Sequence, residues 1–327
     1  MFAKDLERYG PHAESATGSA SALPPSPRKS RRYCRRLARK HYENFSVVSR
    51  VIPGPLRQHV ANIYSYCRWA DDLADEAGDA ERCLMLLGWW KRQLYDCYQG
   101  RATHPVYIAL AETIRKFNIP VEPFSNLLVA FRQDQRVTRY DTVEQLLEYC
   151  RYSANPVGRM VLYLSKCHTA EREKLSDSIC TGLQLANFCQ DVARDWDRGR
   201  IYLPQATCRR FGYDEATFAR RECNDAFRQL LAVEVDRADG LLRAGWPLVA
   251  KMPHEWRLPV ALFATGGLAI LDAIRRQRYD VWTSRPTVTR AEKLRLLFRW
   301  WWRLRFSRGA ELPPDTIRER GAHPRER

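Results

Sequence analysis

Alternation of apolar and polar residues, the period-two signature of a half-buried strand, is scarce along the 327 residues of this chain. Long segments rich in Leu, Ala, Arg and Glu stand in its place, and these are strong helix formers. The expectation is an all-α fold. Helices are predicted over about 33–49, 56–76, 80–98, 104–117, 123–137, 142–166, 171–197, 211–250, 256–280 and 289–306. Between them lie the breaker-rich stretches "VIPGP", "AGD", "NIPVEP", "DRGR", "KMPHEW" and "SRPTV". With 45% hydrophobic and 11% aromatic residues, the chain can fill a sizeable core, as one large domain or two smaller ones.

Before the helical body lies "AESATGSASALPPSP", small, polar and proline-rich, so residues 1–30 read as a disordered segment. Residues 31–288 form the expected helical domain, and 289–327 a basic, Trp-rich helix and tail. The net charge of +16 is unevenly placed. Residues 1–40 carry ten Lys/Arg against three Asp/Glu, and 285–327 carry twelve against five, so each end is +7. The body between is nearly neutral and presents no phosphate-backbone footprint, so no nucleic-acid partner is expected. Ten cysteines stand apart with no C-x-x-C pair, which reads as buried thiols in a reducing compartment. No apolar run approaches the roughly 18–20 residues that cross a bilayer, and no signal-peptide core is visible, so the expected location is cytoplasmic.

Two acidic stretches stand out. In "YSYCRWADDLADE", Asp71 and Asp75 lie one turn apart on one helix face, with Arg68 and Tyr64 extending the stripe. In "QLANFCQDVARD", Asn187, Asp191 and Asp195 make a second stripe at i, i+4 and i+8, with Gln184 just ahead. Like charges at this spacing destabilise an isolated helix by about 0.2–0.5 kcal/mol per pair, so a cation or a substrate group that offsets the repulsion would explain them. Oxygen-only donors suit Mg²⁺, which binds through a few carboxylates plus waters and substrate phosphates. A solvated surface helix is the plainer reading of either stripe alone; the flanking apolar and aromatic residues favour a shared pocket.

Together "YSYCRWADDLADE", "EYCRYSANPVGR" and "GLQLANFCQDVARDWDRGRIYLP" resemble, in order and over roughly residues 35–285, the squalene/phytoene synthase family of head-to-head prenyl-diphosphate synthases. The resemblance implies a single-domain terpenoid-synthase helical bundle with a central active-site cavity. It implies that Asp71, Asp75, Asn187, Asp191 and Asp195 hold several Mg²⁺ ions and the substrate diphosphate, and that Arg68 and Tyr64 contact the diphosphate. Tyr149 matches a tyrosine near the reacting centre, and Arg200 and Tyr202 a segment near the pocket mouth. Phe45, Phe131, Tyr149 and Phe188 are candidates to face a carbocation, with plain core packing as the other reading of each.

The departures point to one branch. "HYENFSV" at 41–47 replaces a Ser-rich element, "SANPVGR" at 153–159 replaces a "VAGxVG"-like one, and Gln190 stands where some relatives carry a basic residue. These variants look most like the hopanoid-pathway branch, in which presqualene diphosphate and water give hydroxysqualene. NADPH is not expected, there being no G-x-G-x-x-G after a strand. The alternatives are condensation of prenyl diphosphates to squalene, dehydrosqualene or phytoene and, in another class, a non-catalytic membrane-associated assembly factor. The oligomeric state stays open.

The segment "EKLRLLFRWWWRLRFSRG" sets Arg295, Arg299 and Arg303 on one stripe, with Leu294, Leu297, Phe298, Trp301 and Leu304 on other faces. It reads either as an interfacial helix on an anionic membrane surface, placing the protein peripherally on the inner face, or as a terminal helix packed on the core.

Overall fold

The computed structural model describes residues 2–11, 24–41 and 51–306. The fold is all-α: among the described residues the sole β-type pairing is one isolated parallel bridge between Arg139 and Ile201. The helices, in chain order, are α1 (Phe2–Tyr9), α2 (Pro27–His41), α3 (Arg57–Asp75), α4 (Ala80–Tyr98), α5 (Pro105–Phe117), α6 (Glu122–Gln133), α7 (Val143–Ser153) and α8 (Asn155–Leu164). There follow α9 (Ala170–Gln190), α10 (Val192–Asp197), α11 (Gln205–Arg210), α12 (Glu215–Arg220), α13 (Asp225–Gly245), α14 (Leu248–Lys251), α15 (His254–Arg276) and α16 (Arg290–Phe306).

The centre is the pair α9 and α13, the most extensive helix contact in the molecule. Two glycines let the backbones approach. A Cβ on Gly182 would lie 2.8 Å from Leu242 Cγ, and one on Gly245 would lie 2.7 Å from the Leu175 carbonyl oxygen. On the other side of the cavity described below, α3 packs on α5, α4 and α6 through a cluster of rings. Trp69 stacks on Trp90 at 5.3 Å, and Tyr66 meets Phe124 edge-on at 5.1 Å. Offset and edge-on pairs of this kind add about 0.5–1.5 kcal/mol each beyond area burial.

Several boundaries differ from the sequence reading. Residues 2–9 are not disordered but form α1, whose Phe2 meets Trp69 at 5.4 Å and whose Tyr9 meets Tyr33 at 5.6 Å. Tyr33 donates to Asp5 at 3.0 Å, and α2 starts at Pro27 rather than near residue 33. The expected helix over 142–166 breaks at Ala154, where Pro156 opens α8 as a first-turn proline. The stretch 211–250 divides into α12, α13 and α14, started by the caps Asp214 and Asn224. The longest departure from expectation in hydropathy is α15, which is long and apolar enough to cross a membrane. It is instead a core helix packed on α9 and α13, with Trp256, Leu271 and Ile274 buried. All ten cysteines are free thiols, seven of them buried.

Candidate active site

Both acidic stretches sit at the C-terminal ends of helices, where the macrodipole is already negative. Neither placement helps the helices, so the charges answer to something outside them. Asp71 and Asp75 from α3 face Asn187 from α9 and Asp195 from α10 across one cavity of about 220 Å³. Gln184 lines it one turn before Asn187. Asp195 and Asp71 are both held above the ordinary carboxylate range, chiefly by burial. Asp195 is pushed up to about 7, with Asp191 adding to the effect against Arg198 and Arg200.

The same cavity is also lined by apolar and aromatic residues. Leu127, Ala130 and Phe131 come from α6, Tyr149 from α7 and Phe188 from α9. Phe188 stacks on Tyr202 at 4.0 Å, and Tyr202 on Tyr149 at 5.8 Å. The segment carrying Arg200 and Tyr202 is pinned by the bond from Ile201 N to Thr138 O at 2.9 Å. Arg200 and Arg198 reach Asp75 at 3.8 and 3.6 Å. Tyr149 donates to Asp134 at 2.9 Å, and burial raises the Asp134 carboxyl to about 6 despite the neighbouring Arg200.

Asp71, Asp75, Tyr149, Gln184, Asn187, Asp195, Arg200 and Tyr202 thus share one cavity. Three other sequence-predicted residues lie elsewhere. Asp191 is not on the cavity wall: α9 ends at Gln190, and the Asp191 carboxylate turns to Arg285, which donates from Nε at 2.6 Å and from Nη2 at 2.8 Å. Arg285 also donates to Gln190 Oε1 at 2.8 Å, and Gln190 donates to the Pro286 carbonyl at 2.6 Å. Arg68 is engaged by its own helix, donating to Asp71 at 3.0 Å, to Asp72 and to Glu76 at 3.3 Å. Tyr64, a turn earlier on α3, is half-buried and outside the cavity lining. Phe45 lies outside the described residues.

Asp134, Arg198 and Arg285 were not among the sequence candidates. Asp134 follows the apolar helix 122–133 without a periodic partner, and Arg285 reaches Asp191 across 94 positions. Arg198 could have been read from its place in "DWDRGR", three residues past Asp195.

The donor set fits a hard divalent cation. Asp71, Asp75, Asn187 and Asp195 offer oxygen ligands from three helices around one cavity. Among the described residues no three His, Cys, Asp or Glu side chains close into a ready-made cage. Mg²⁺ keeps waters and substrate phosphate oxygens in its shell and takes only a few such protein donors.

Comparison with known proteins agrees with this geometry. The squalene/phytoene synthase family profile matches residues 38–292. A crystal structure of squalene synthase HpnC from Alicyclobacillus acidocaldarius is 46% identical with a TM-score of 0.74, covering 78% of this chain and 96% of that one. A dehydrosqualene synthase structure is 26% identical with a TM-score of 0.78, covering 85% and 98%. The phytoene synthase of Arthrospira platensis is 29% identical over 81% of this chain and 90% of its own length. An all-helical fold, a cavity lined by carboxylates and aromatic rings, and a profile spanning most of the chain make this protein a member of the squalene/phytoene synthase family, an isoprenoid synthase acting on prenyl diphosphates.

Proposed function

We propose that this chain converts presqualene diphosphate to hydroxysqualene. The observation that carries the reading is the single cavity lined by both carboxylates and stacked rings. The branch assignment is supported by the 46% identity to a squalene synthase HpnC, against 26% and 29% for dehydrosqualene and phytoene synthases. It is supported also by Gln190 and "SANPVGR", which depart from the condensing pattern.

Asp71, Asp75, Asn187 and Asp195 would hold Mg²⁺, with Asp191 joining once Arg285 lets go. Bound there, Mg²⁺ supplies Lewis-acid neutralisation of the departing diphosphate. Arg198 and Arg200 add positive charge beside Asp75. Loss of diphosphate leaves a cyclopropylcarbinyl cation, and Phe131, Tyr149, Phe188 and Tyr202 line the space where it rearranges. Ring faces stabilise such charge by about 0.5–2 kcal/mol each and keep stray water out. One water then adds to the cation and sheds a proton, for which Asp134, bonded to Tyr149 in the same cavity, would serve as acceptor. No reductant is consumed.

The test is product analysis of the purified protein with Mg²⁺ and presqualene diphosphate, with and without NADPH. Hydroxysqualene in equal yield under both conditions is expected. Squalene formed only with NADPH, or condensation of farnesyl diphosphate with no turnover of presqualene diphosphate, rejects the reading.

A further inference from the structure

Among the described residues, four of the eight exposed large apolar side chains lie on one helix. Leu294, Phe298, Trp301 and Trp302 on α16 are 59%, 64%, 44% and 52% exposed. They belong to a helix whose other face is firmly seated. Trp300 is fully buried and meets Trp246 at 4.7 Å, while Leu296, Leu297 and Leu304 pack against the core. The first turn is fixed by a reciprocal cap: Thr289 N donates to Glu292 Oε2 at 2.8 Å, and Glu292 N donates to Thr289 Oγ1 at 3.2 Å. Arg276 of α15 holds the same Glu292 at 3.0 Å. The core-packed reading of this segment is therefore met by one face of the helix, and the membrane reading is left to the other. Trp300 is the core anchor, and the aromatic surface opposite is preformed.

We propose that this outer face of α16 docks the protein on an anionic lipid leaflet. Phe298 lies 6.2 Å from both Trp301 and Trp302, so the three rings form one patch. Arg295 and Arg299 are exposed beside it. Asp and Glu are absent from 293–305, and residues 285–327 carry a net +7. Rings of Trp sit at the headgroup level, apolar side chains enter the acyl boundary, and arginines meet lipid phosphates. A protein partner would be expected to answer the arginines with carboxylates; a leaflet answers the whole face at once. The inference does not depend on which prenyl diphosphate the cavity takes.

The experiment is co-sedimentation of the full chain with vesicles of phosphatidylcholine, alone or mixed with phosphatidylglycerol. Three proteins are compared: wild type, Phe298→Ser/Trp302→Ser and Arg295→Glu/Arg299→Glu, all altered at exposed positions. Wild type is expected to pellet with the anionic vesicles, and each double variant to bind about tenfold or more weakly. Melting curves check that all three share one fold. Because residues 307–327 are intact in both variants, undiminished pelleting of either would move binding to the tail and overturn the proposal. Wild type remaining in the supernatant would also overturn it. So would a wild-type dimer in ultracentrifugation that Phe298→Ser/Trp302→Ser dissociates, since the face would then belong to a second copy.

Discussion

Replacing Asp195 by Asn should make the metal-free protein more stable, and the gain should depend on pH. Asp195 faces the cavity beside Asp191 and Asp134, and its carboxyl is raised from 3.8 to about 7. Near pH 4 and below, the folded and unfolded chains both carry the proton, and the residue costs nothing. As pH rises from about 4 towards 7, the unfolded chain releases that proton while the folded one keeps it, so stability falls. Above about 7 the full cost is present. At about 1.4 kcal/mol per pK unit the shift amounts to roughly 4 kcal/mol, and solvent in the cavity reduces this to about 2–4. For a chain of 327 residues the unfolding entropy is about 0.7 kcal/mol per degree, so Asp195→Asn should raise the melting temperature by about 3–6 °C at pH 8. At pH 5 the gain should fall to less than half of that. Scanning calorimetry in chelator across pH measures it. With Mg²⁺ and inorganic diphosphate added, wild type should gain more than the variant. A lower melting temperature for Asp195→Asn at pH 8, or a difference that does not change with pH, would refute the electrostatic account of this wall.

Other substitutions probe the remaining parts of the site. Asp75→Asn removes a carboxylate that faces the cavity and pairs with Arg198 and Arg200, and should lower kcat by about two to three orders of magnitude with little change in melting temperature. Arg285→Gln frees Asp191, and should shift the Mg²⁺ concentration for half-maximal thermal stabilisation, in the presence of diphosphate, about three- to tenfold lower; an unchanged midpoint would mean that Arg285 does not compete with the ion. Gly182→Ala forces a methyl against Leu242 and the Ala238 carbonyl, and should cost about 1–3 kcal/mol, read from denaturant midpoints.

What the sequence disclosed follows from which interactions are local. The helix carrying Asp71 and Asp75 was expected over 56–76 and runs Arg57–Asp75, because its apolar spacing and its flanking breakers are all nearby in the chain. The break at Asp191 left no such mark. The backbone bonds Asp191 N to Asn187 O and Asp195 N to Asp191 O are both helical in span, and the side chain is turned by an arginine from a distant loop. Phe2, Leu6 and Tyr9 make one face of an eight-residue helix, too short for composition to separate from the polar stretch after it. The splits of 211–250 were readable in principle, since Asp214 and Asn224 are good N-caps followed by helix formers; a long apolar pattern masked them. For α16, the periodicity described an amphipathic helix correctly but could not say which face met the core. Buried Trp300 settles that, and it lies between two exposed neighbours of helical and aromatic type, Arg299 and Trp301.

The interruption after Gln190 gives the cavity jaws of unlike construction. One jaw is α3, nineteen residues long and set among rings on several sides. The other ends in α10, six residues joined to the central helix at a single non-helical residue and tethered through Trp196 on Phe218 and Asp197 on Arg221. Asp195, Arg198 and Arg200 therefore rest on a short tethered piece of chain, whereas Asp71 and Asp75 stand on a long helix held by packed rings.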